Sequence, residues 1–144
     1  MIPTSSQTIG PFWHALADPA LADLTRGGAG VTLAGVVRDG DGAPVTDACI
    51  ELWQPGVGWG RAATDRDGRF AFIVGAGPPI AVAVFARGLL APLRTRVYFE
   101  DAGDALLAAL PPDRRRTLVA RRDGDAWRWN VTLQGAGETV FLAM

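Results

Sequence analysis

VTLAGVVRDGDGAPVTDACIELWQ, residues 31–54, sets two apolar stretches on either side of an Asp-Gly-Asp-Gly turn. Valine, isoleucine and threonine suit a pleated, half-buried surface. Asp-Gly pairs tolerate positive φ, so the spacing predicts a strand over 31–39, a hairpin turn at Asp39–Gly42 and a second strand over 48–54. In that second stretch Cys49, Glu51 and Trp53 alternate with Ile50, Leu52 and Gln54, the period of two that a strand with one solvated face requires.

The same grammar continues outward. GRAATDRDGRFAFIV (60–74) repeats strand, Asp-Gly turn and strand, with Phe70 and Phe72 two apart. PPIAVAVFARGLL (78–90) runs six apolar residues from Ile80 to Phe85 and ends on Arg87. A run without polar alternation predicts a strand buried on both faces, here with a permanent charge at its tip. RTRVYF (94–99) reads as a strand, and DALLAALPPD (104–113) as the one helix, stopped by Pro111 and Pro112. TLVARR, AWRWNVTLQ and ETVFLAM supply three closing strands, the first two hinged at Asp123-Gly124. Upstream, Pro3 and Pro11 deny backbone donors and residues 2–17 keep no period, so they read as an extended arm. A helical turn over Asp18 to Leu24 and a glycine joint at 27–30 follow. The expectation is an arm and linker over residues 1–30 and an all-β sandwich domain of prealbumin-like type over residues 31–144.

Composition narrows the chemistry. With 14 arginines, 15 acidic residues and a formal charge of −1, nothing attracts nucleic acid or an anionic membrane, and no apolar run approaches a membrane span. The N-terminal stretch has no basic, apolar leader pattern, so a cytoplasmic location is expected. The Arg114–Arg116 run reads as a solvated face. Cys49 is the only cysteine and sits in an apolar alternating stretch, a small buried hydrophobe rather than half of a disulfide. One histidine (His14) and one tyrosine (Tyr98) cannot build a histidine- or thiolate-rich metal site. Nor can they build a serine triad, since no GxSxG elbow accompanies Ser5 and Ser6. Asp39–Gly42 and Asp65–Gly68 read as turns before cation loops. GVGWG (56–60) lacks the following helix that a phosphate loop needs. The five tryptophans read as core and interface rather than as a cage for a ring. From the residues alone, a binding or scaffold module without an enzymatic partner stays open.

Three stretches carry a resemblance: TSSQTIGPFW (4–13), FARGLLAPLRTRVYFED (85–101) and QGAGETVFLAM (134–144), with VVRDGDGAPVTDACIELWQ (36–54) between them. In that order they are similar to the intradiol ring-cleavage dioxygenase family, in particular to the alpha chains of its heteromeric, protocatechuate-cleaving members. The resemblance implies a sandwich fold and a family reaction in which non-haem ferric iron, held by two tyrosines and two histidines, binds a catecholate for ring opening. Those ligands fail here position by position. The expected His-x-His pair falls on Pro79 and Ala81, Gly56 to Arg61 holds no tyrosine, and the loop around Gly75–Pro78 is cut to GAGPP.

What the resemblance implies is therefore a chain with no catalytic or metal-binding residue of its own. Its partner would be an iron-bearing beta chain of the same fold, with the ferric iron in that partner. This chain would complete the pocket for an aromatic substrate, protocatechuate, in aromatic catabolism. The resemblance points to Arg87 of FARG and to Thr8, Gly10 and Pro11 of the arm as the substrate-contacting residues. The chemistry suits the two strongest of them. Arginine's planar fork donates two bonds to a ring carboxylate and stays charged, while Gly10-Pro11 offers a rigid backbone edge with no side chain at the glycine.

Overall fold

A computed structural model describes residues 3–10, 12–100 and 103–143. Nine strands are formed: β1 (Val31–Arg38), β2 (Cys49–Gln54), β3 (Gly58–Ala63), β4 (Arg69–Val74), β5 (Ile80–Phe85), β6 (Leu93–Val97), β7 (Arg121–Asp123), β8 (Ala126–Arg128) and β9 (Val131–Thr132). One sheet has the order β4-β1-β8-β7, with β9 also on β1; the other has the order β3-β2-β5-β6. Leu33, Val37, Phe70, Phe72 and Val74 from the first face Ile50, Leu52, Ile80, Val82 and Val84 from the second across one core. That alternation of inward apolar residues holds a sandwich together.

Both Asp-Gly turns do something other than the sequence suggests. Around Asp39–Gly42 the hairpin is brief: Asp39 N–H donates to Ala43 O (2.9 Å) and Val45 N–H to Val37 O (3.0 Å). The chain then leaves the first sheet, and β1 pairs with β4, not with β2. The turn at Asp65–Gly68 likewise carries the chain from β3 in one sheet to β4 in the other. These are corners of the sandwich, and the Asp carboxylates build them. Asp39 Oδ1 accepts from Asp41 and Ala43 N–H, and Asp65 Oδ1 from Asp67 and Arg69 N–H, at 2.8–3.0 Å. Those backbone bonds hold the Asp65 carboxyl below the usual range. Consecutive strands do pair as hairpins elsewhere: β2–β3 turns over Pro55–Val57, and β7–β8 turns at Gly124, where the sequence suggested a hinge.

The remaining departures are local. β5 is buried on one face only: Ile80, Val82 and Val84 enter the core, whereas Ala81, Ala83 and Phe85 are half-buried on the outer face. A run of small apolar residues can cover a solvent-side face without being enclosed, which periodicity cannot tell apart. The helix expected over 104–113 ends at Ala109 (α1, Ala105–Ala109), and a second begins at Pro112 (α2, Pro112–Arg115). Proline stops one helix and opens the next, because the first helical turn needs no N–H. Residues 138–143 form no strand, although Leu142 N–H donates to Arg94 O (2.7 Å) and Thr95 Oγ1 to Val140 O (2.6 Å), laying the segment beside β6. Arg114 is half-buried rather than solvated, donating to Glu138 O at 2.7 Å, and Arg115 is also half-buried. In the arm, one-turn 3-10 helices form at Trp13–Leu16 and Pro19–Ala22, the second capped by Asp18.

Two buried groups lend themselves to test. Gln54, fully buried, ties the end of β2 to the β4–β5 loop. Its Nε2 donates to Gly75 O (2.8 Å) and Pro78 O (3.3 Å), and its Oε1 accepts from Gly75 N–H (2.9 Å). Gln54→Leu leaves those backbone groups buried and unpaired, an expected loss of about 2–4 kcal/mol by denaturant titration; a change within about 0.5 kcal/mol contradicts this role. Cys49 is 3% exposed, and burial pushes its thiol up to about 11. A neutral buried thiol is a poor nucleophile. Alkylation at neutral pH should therefore label it only after unfolding, and rapid labelling of the native chain would contradict its burial.

Candidate functional site: the strand tip and the arm

Arg87 follows β5 and is set by that strand's register with β2. The antiparallel ladder runs Trp53↔Ala81, Leu52↔Val82, Glu51↔Ala83, Ile50↔Val84 and Cys49↔Phe85. Continued by two residues, it places Asp47 opposite Arg87. The side chains meet there: Arg87 Nε and Asp47 Oδ2 form an ion pair, with the Arg87 side chain 62% exposed and that of Asp47 only 14%. Arg87 forms no other hydrogen bond or ion pair with a described residue, and most of its side chain is exposed. Exposure makes the pair a weak contributor to stability.

The arm is fastened to this tip. Thr8 Oγ1 donates to Ala86 O (3.2 Å) and accepts from Gly88 N–H (2.8 Å), bracketing Arg87 on both sides. Gly88 has φ +87°, the left-handed conformation that turns the chain away and that glycine adopts without strain. Trp13 Nε1 donates to Asp47 O at 3.0 Å, fixing the arm to the other side of the same corner. Of the four expected site residues, Thr8 and Arg87 are thus brought together. Thr8 contacts the tip backbone, a role the sequence did not suggest. Gly10 is exposed with nothing within 4 Å of a built Cβ, so no local packing requires glycine there. Pro11 lies outside the described residues. Asp47 and Trp13 were missed. Only the β2–β5 register could have found Asp47, and the sequence hid it by suggesting that β2 pairs with β1.

The positions where the family's iron ligands would fall are at the far end of β5. Ala81 lies on the outer face between Trp53 of β2 and Arg96 of β6. Ala81 and Trp53, with Glu51, Trp59, Ala83 and Arg94, line a shallow trough of about 140 Å³. Trp53 and Trp59 are 54% and 38% exposed, whereas Trp129 is in the core. A cavity of about 340 Å³ at the Pro79 end, lined by Val31, Gly77, Phe99, Arg122 and Trp127, includes neither Arg87 nor the arm. From Ala81 to the end of β5 at Phe85 the strand spans about 13 Å at about 3.3 Å per residue, and Arg87 lies in the turn beyond it.

An iron centre does not fit the residues present. That end offers no imidazole, and its carboxylates stand singly: Glu51 lines the trough and Glu100 the cavity. His14 is exposed on the arm. Tyr98 is buried against Leu107, Leu118 and Val140, and burial is the main cause raising its phenol above the ordinary value, which disfavours a phenolate ligand. Among the described residues no group of three or more His, Cys, Asp or Glu converges, and no helix is long and apolar enough to cross a membrane.

Thr8→Val should release the clamp by removing two bonds of about 1 kcal/mol each. The Gly88 amide should then exchange with solvent about fivefold faster or more, and arm peptides should be cleaved sooner by protease. Unchanged exchange at Gly88 would show that Thr8 does not hold the tip.

No protein-family model matches the chain. Relatives do. It is 33% identical over 189 aligned positions to a protocatechuate 3,4-dioxygenase alpha chain from Burkholderia cepacia, covering 96% of this chain and 96% of that one. It is also 33% identical, over 96% of its length and 95% of the relative, to the alpha chain from Pseudomonas putida. The 189 aligned positions exceed this chain's 144 residues, so the relative carries insertions that are trimmed here. Among solved structures, the dioxygenase domain of a dioxygenase–carbohydrate-binding fusion from Streptomyces sp. SirexAA-E superposes with a TM-score of 0.57 at 25% identity, over 94% of this chain and all of that one. Catechol 1,2-dioxygenase from Pseudomonas arvilla C-1 gives 0.53 at 21% identity, over 79% of this chain and 56% of that one, a likeness of fold. The chain belongs to the protocatechuate 3,4-dioxygenase alpha chain family, on the intradiol dioxygenase fold.

Proposed function

We propose that this chain is the non-catalytic alpha subunit of a heteromeric protocatechuate 3,4-dioxygenase. In this reading it completes the substrate pocket of an iron-bearing partner of the same fold. The observation that carries it is the separation along β5. The chain's exposed cation lies past one end of β5, and the family's metal ligands would lie at the other end, which holds Pro79 and Ala81. A cation so placed cannot serve a metal on its own chain, but at an interface it can serve another. Family membership favours this reading over a free-standing binding module.

The chain's own contribution is recognition. Protocatechuate carries a ring carboxylate away from its two phenolic oxygens, and the terminal amino groups of Arg87 are the matching donors. Within a closed interface, water no longer competes for them, and a charge-assisted bond contributes about 1.5–3 kcal/mol, or about 10- to 100-fold in affinity. Gly10-Pro11 and Thr8 would shape the edge of the same pocket. Ring cleavage itself belongs to the partner's ferric iron, and the chain alone is expected to be inactive. A cytoplasmic assembly is the setting this implies.

The test is coexpression with a sandwich chain bearing the two tyrosines and two histidines. The expected result is a stable iron-containing complex that cleaves protocatechuate. In it, Arg87→Ala should cut the ratio of kcat/KM for protocatechuate over catechol by about 10- to 100-fold. A chain that remains alone beside such partners, or an Arg87→Ala complex with equal losses on both substrates, would overturn the proposal.

A further inference from the structure

We propose that Asp47 is a positioning residue for Arg87. It holds the Nε edge of the guanidinium so that the two terminal amino groups form a ready grip for a ligand carboxylate. The inference rests on the reading of Arg87 as a substrate-binding residue and assigns the group that aims it.

Three observations carry it. The carboxylate meets Arg87 at Nε, which leaves the opposite edge of the fork available; a guanidinium has five N–H donors, enough to serve two carboxylates on two edges. Asp47 is itself held on a fixed corner. Its carbonyl accepts from Trp13 Nε1, the neighbouring Ala48 N–H donates to Thr64 Oγ1 (2.9 Å), and Thr64 Oγ1 donates to Val45 O (2.8 Å). The Arg87 backbone is fixed from the other side by the Thr8 clamp on Ala86 and Gly88. Both ends of the ion pair therefore stand on anchored backbone, with the mobile part between them restrained by the charge contact.

An unrestrained arginine carries rotamer entropy that a ligand must remove. A carboxylate on Nε removes part of that freedom before the ligand arrives. The same negative charge also opposes an incoming carboxylate, so the sign of the effect of neutralising Asp47 decides between orientation and competition. Orientation wins if the neutral variant binds worse.

The experiment uses the assembled complex and compares wild type, D47N, D47E, R87A and the D47N/R87A double variant on protocatechuate and catechol. D47N is expected to raise KM for protocatechuate by about three- to tenfold, less than removal of the charged bond itself. It should also lower the protocatechuate-to-catechol ratio of kcat/KM. D47E should recover part of the loss, and D47N should add nothing in the R87A background. A D47N complex with a lower KM, or with an unchanged ratio while R87A abolishes it, overturns the positioning role and leaves the binding role standing. An unchanged ratio in R87A brings down the binding reading itself. One readout does not depend on assembly. In the full chain the Arg87 guanidinium should reorient more slowly than that of the exposed Arg94, by nuclear-spin relaxation, and D47N should remove the difference. Equal mobility in wild type contradicts the restraint.

Discussion

The register between β2 and β5 is the constraint on which the rest depends. Setting Cys49 opposite Phe85 sends Ile50, Leu52, Val82 and Val84 together into the core. The same register leaves Glu51, Trp53, Ala81 and Ala83 on the outer face. Because side chains alternate with a period of two, a slip of β2 by one residue would turn Ile50 and Leu52 outward and bury a carboxylate and an indole in their place. It would also separate Asp47 from Arg87. The fold and the candidate site are thus fixed by one ladder, and Gln54 at its end locks it to the β4–β5 loop.

That ladder distributes chemistry unevenly along β5. Its first residues face Trp53 and Arg96 across small side chains, where no group of three or more His, Cys, Asp or Glu converges among the described residues. Its far end carries the cation, the arm and the carboxylate that meets the cation. The arm fits this division. It crosses the tip by hydrogen bonds to backbone groups at Ala86, Gly88 and Asp47 rather than by burial in the core. An arm so attached can shape an edge of the molecule without contributing to its stability in proportion, as a pocket wall offered to another subunit must.

Much of the fold was legible because composition and period report burial directly. The alternation in CIELWQ marked β2, and Phe70 and Phe72 marked β4. What could not be read was which strand pairs with which. Asp-Gly turns announce a reversal of direction equally well at a hairpin and at a sandwich corner, so β1–β2 and β3–β4 looked like pairs and are not. The unbroken run from Ile80 to Phe85 suggested two buried faces because alanine covers an outer face without revealing exposure. In the candidate site, Arg87 and Thr8 were singled out through resemblance, and the structure brings them together. Asp47 was not, because a lone aspartate in a loop carries no signal until the pairing that sets it opposite Arg87 is known. Trp13 passed for packing, while its indole N–H carries a specific bond.

The central claim is that this chain's cation serves a carboxylate held on a different chain. A structure of the assembled complex with protocatechuate bound measures that most directly. The account predicts a ring carboxylate oxygen within about 3 Å of the Arg87 terminal amino nitrogens, with Asp47 still on Nε and the ring's phenolic oxygens toward the partner's iron. Arg87 turned to solvent, or paired only with protein carboxylates while the substrate carboxylate is bound elsewhere, would contradict it.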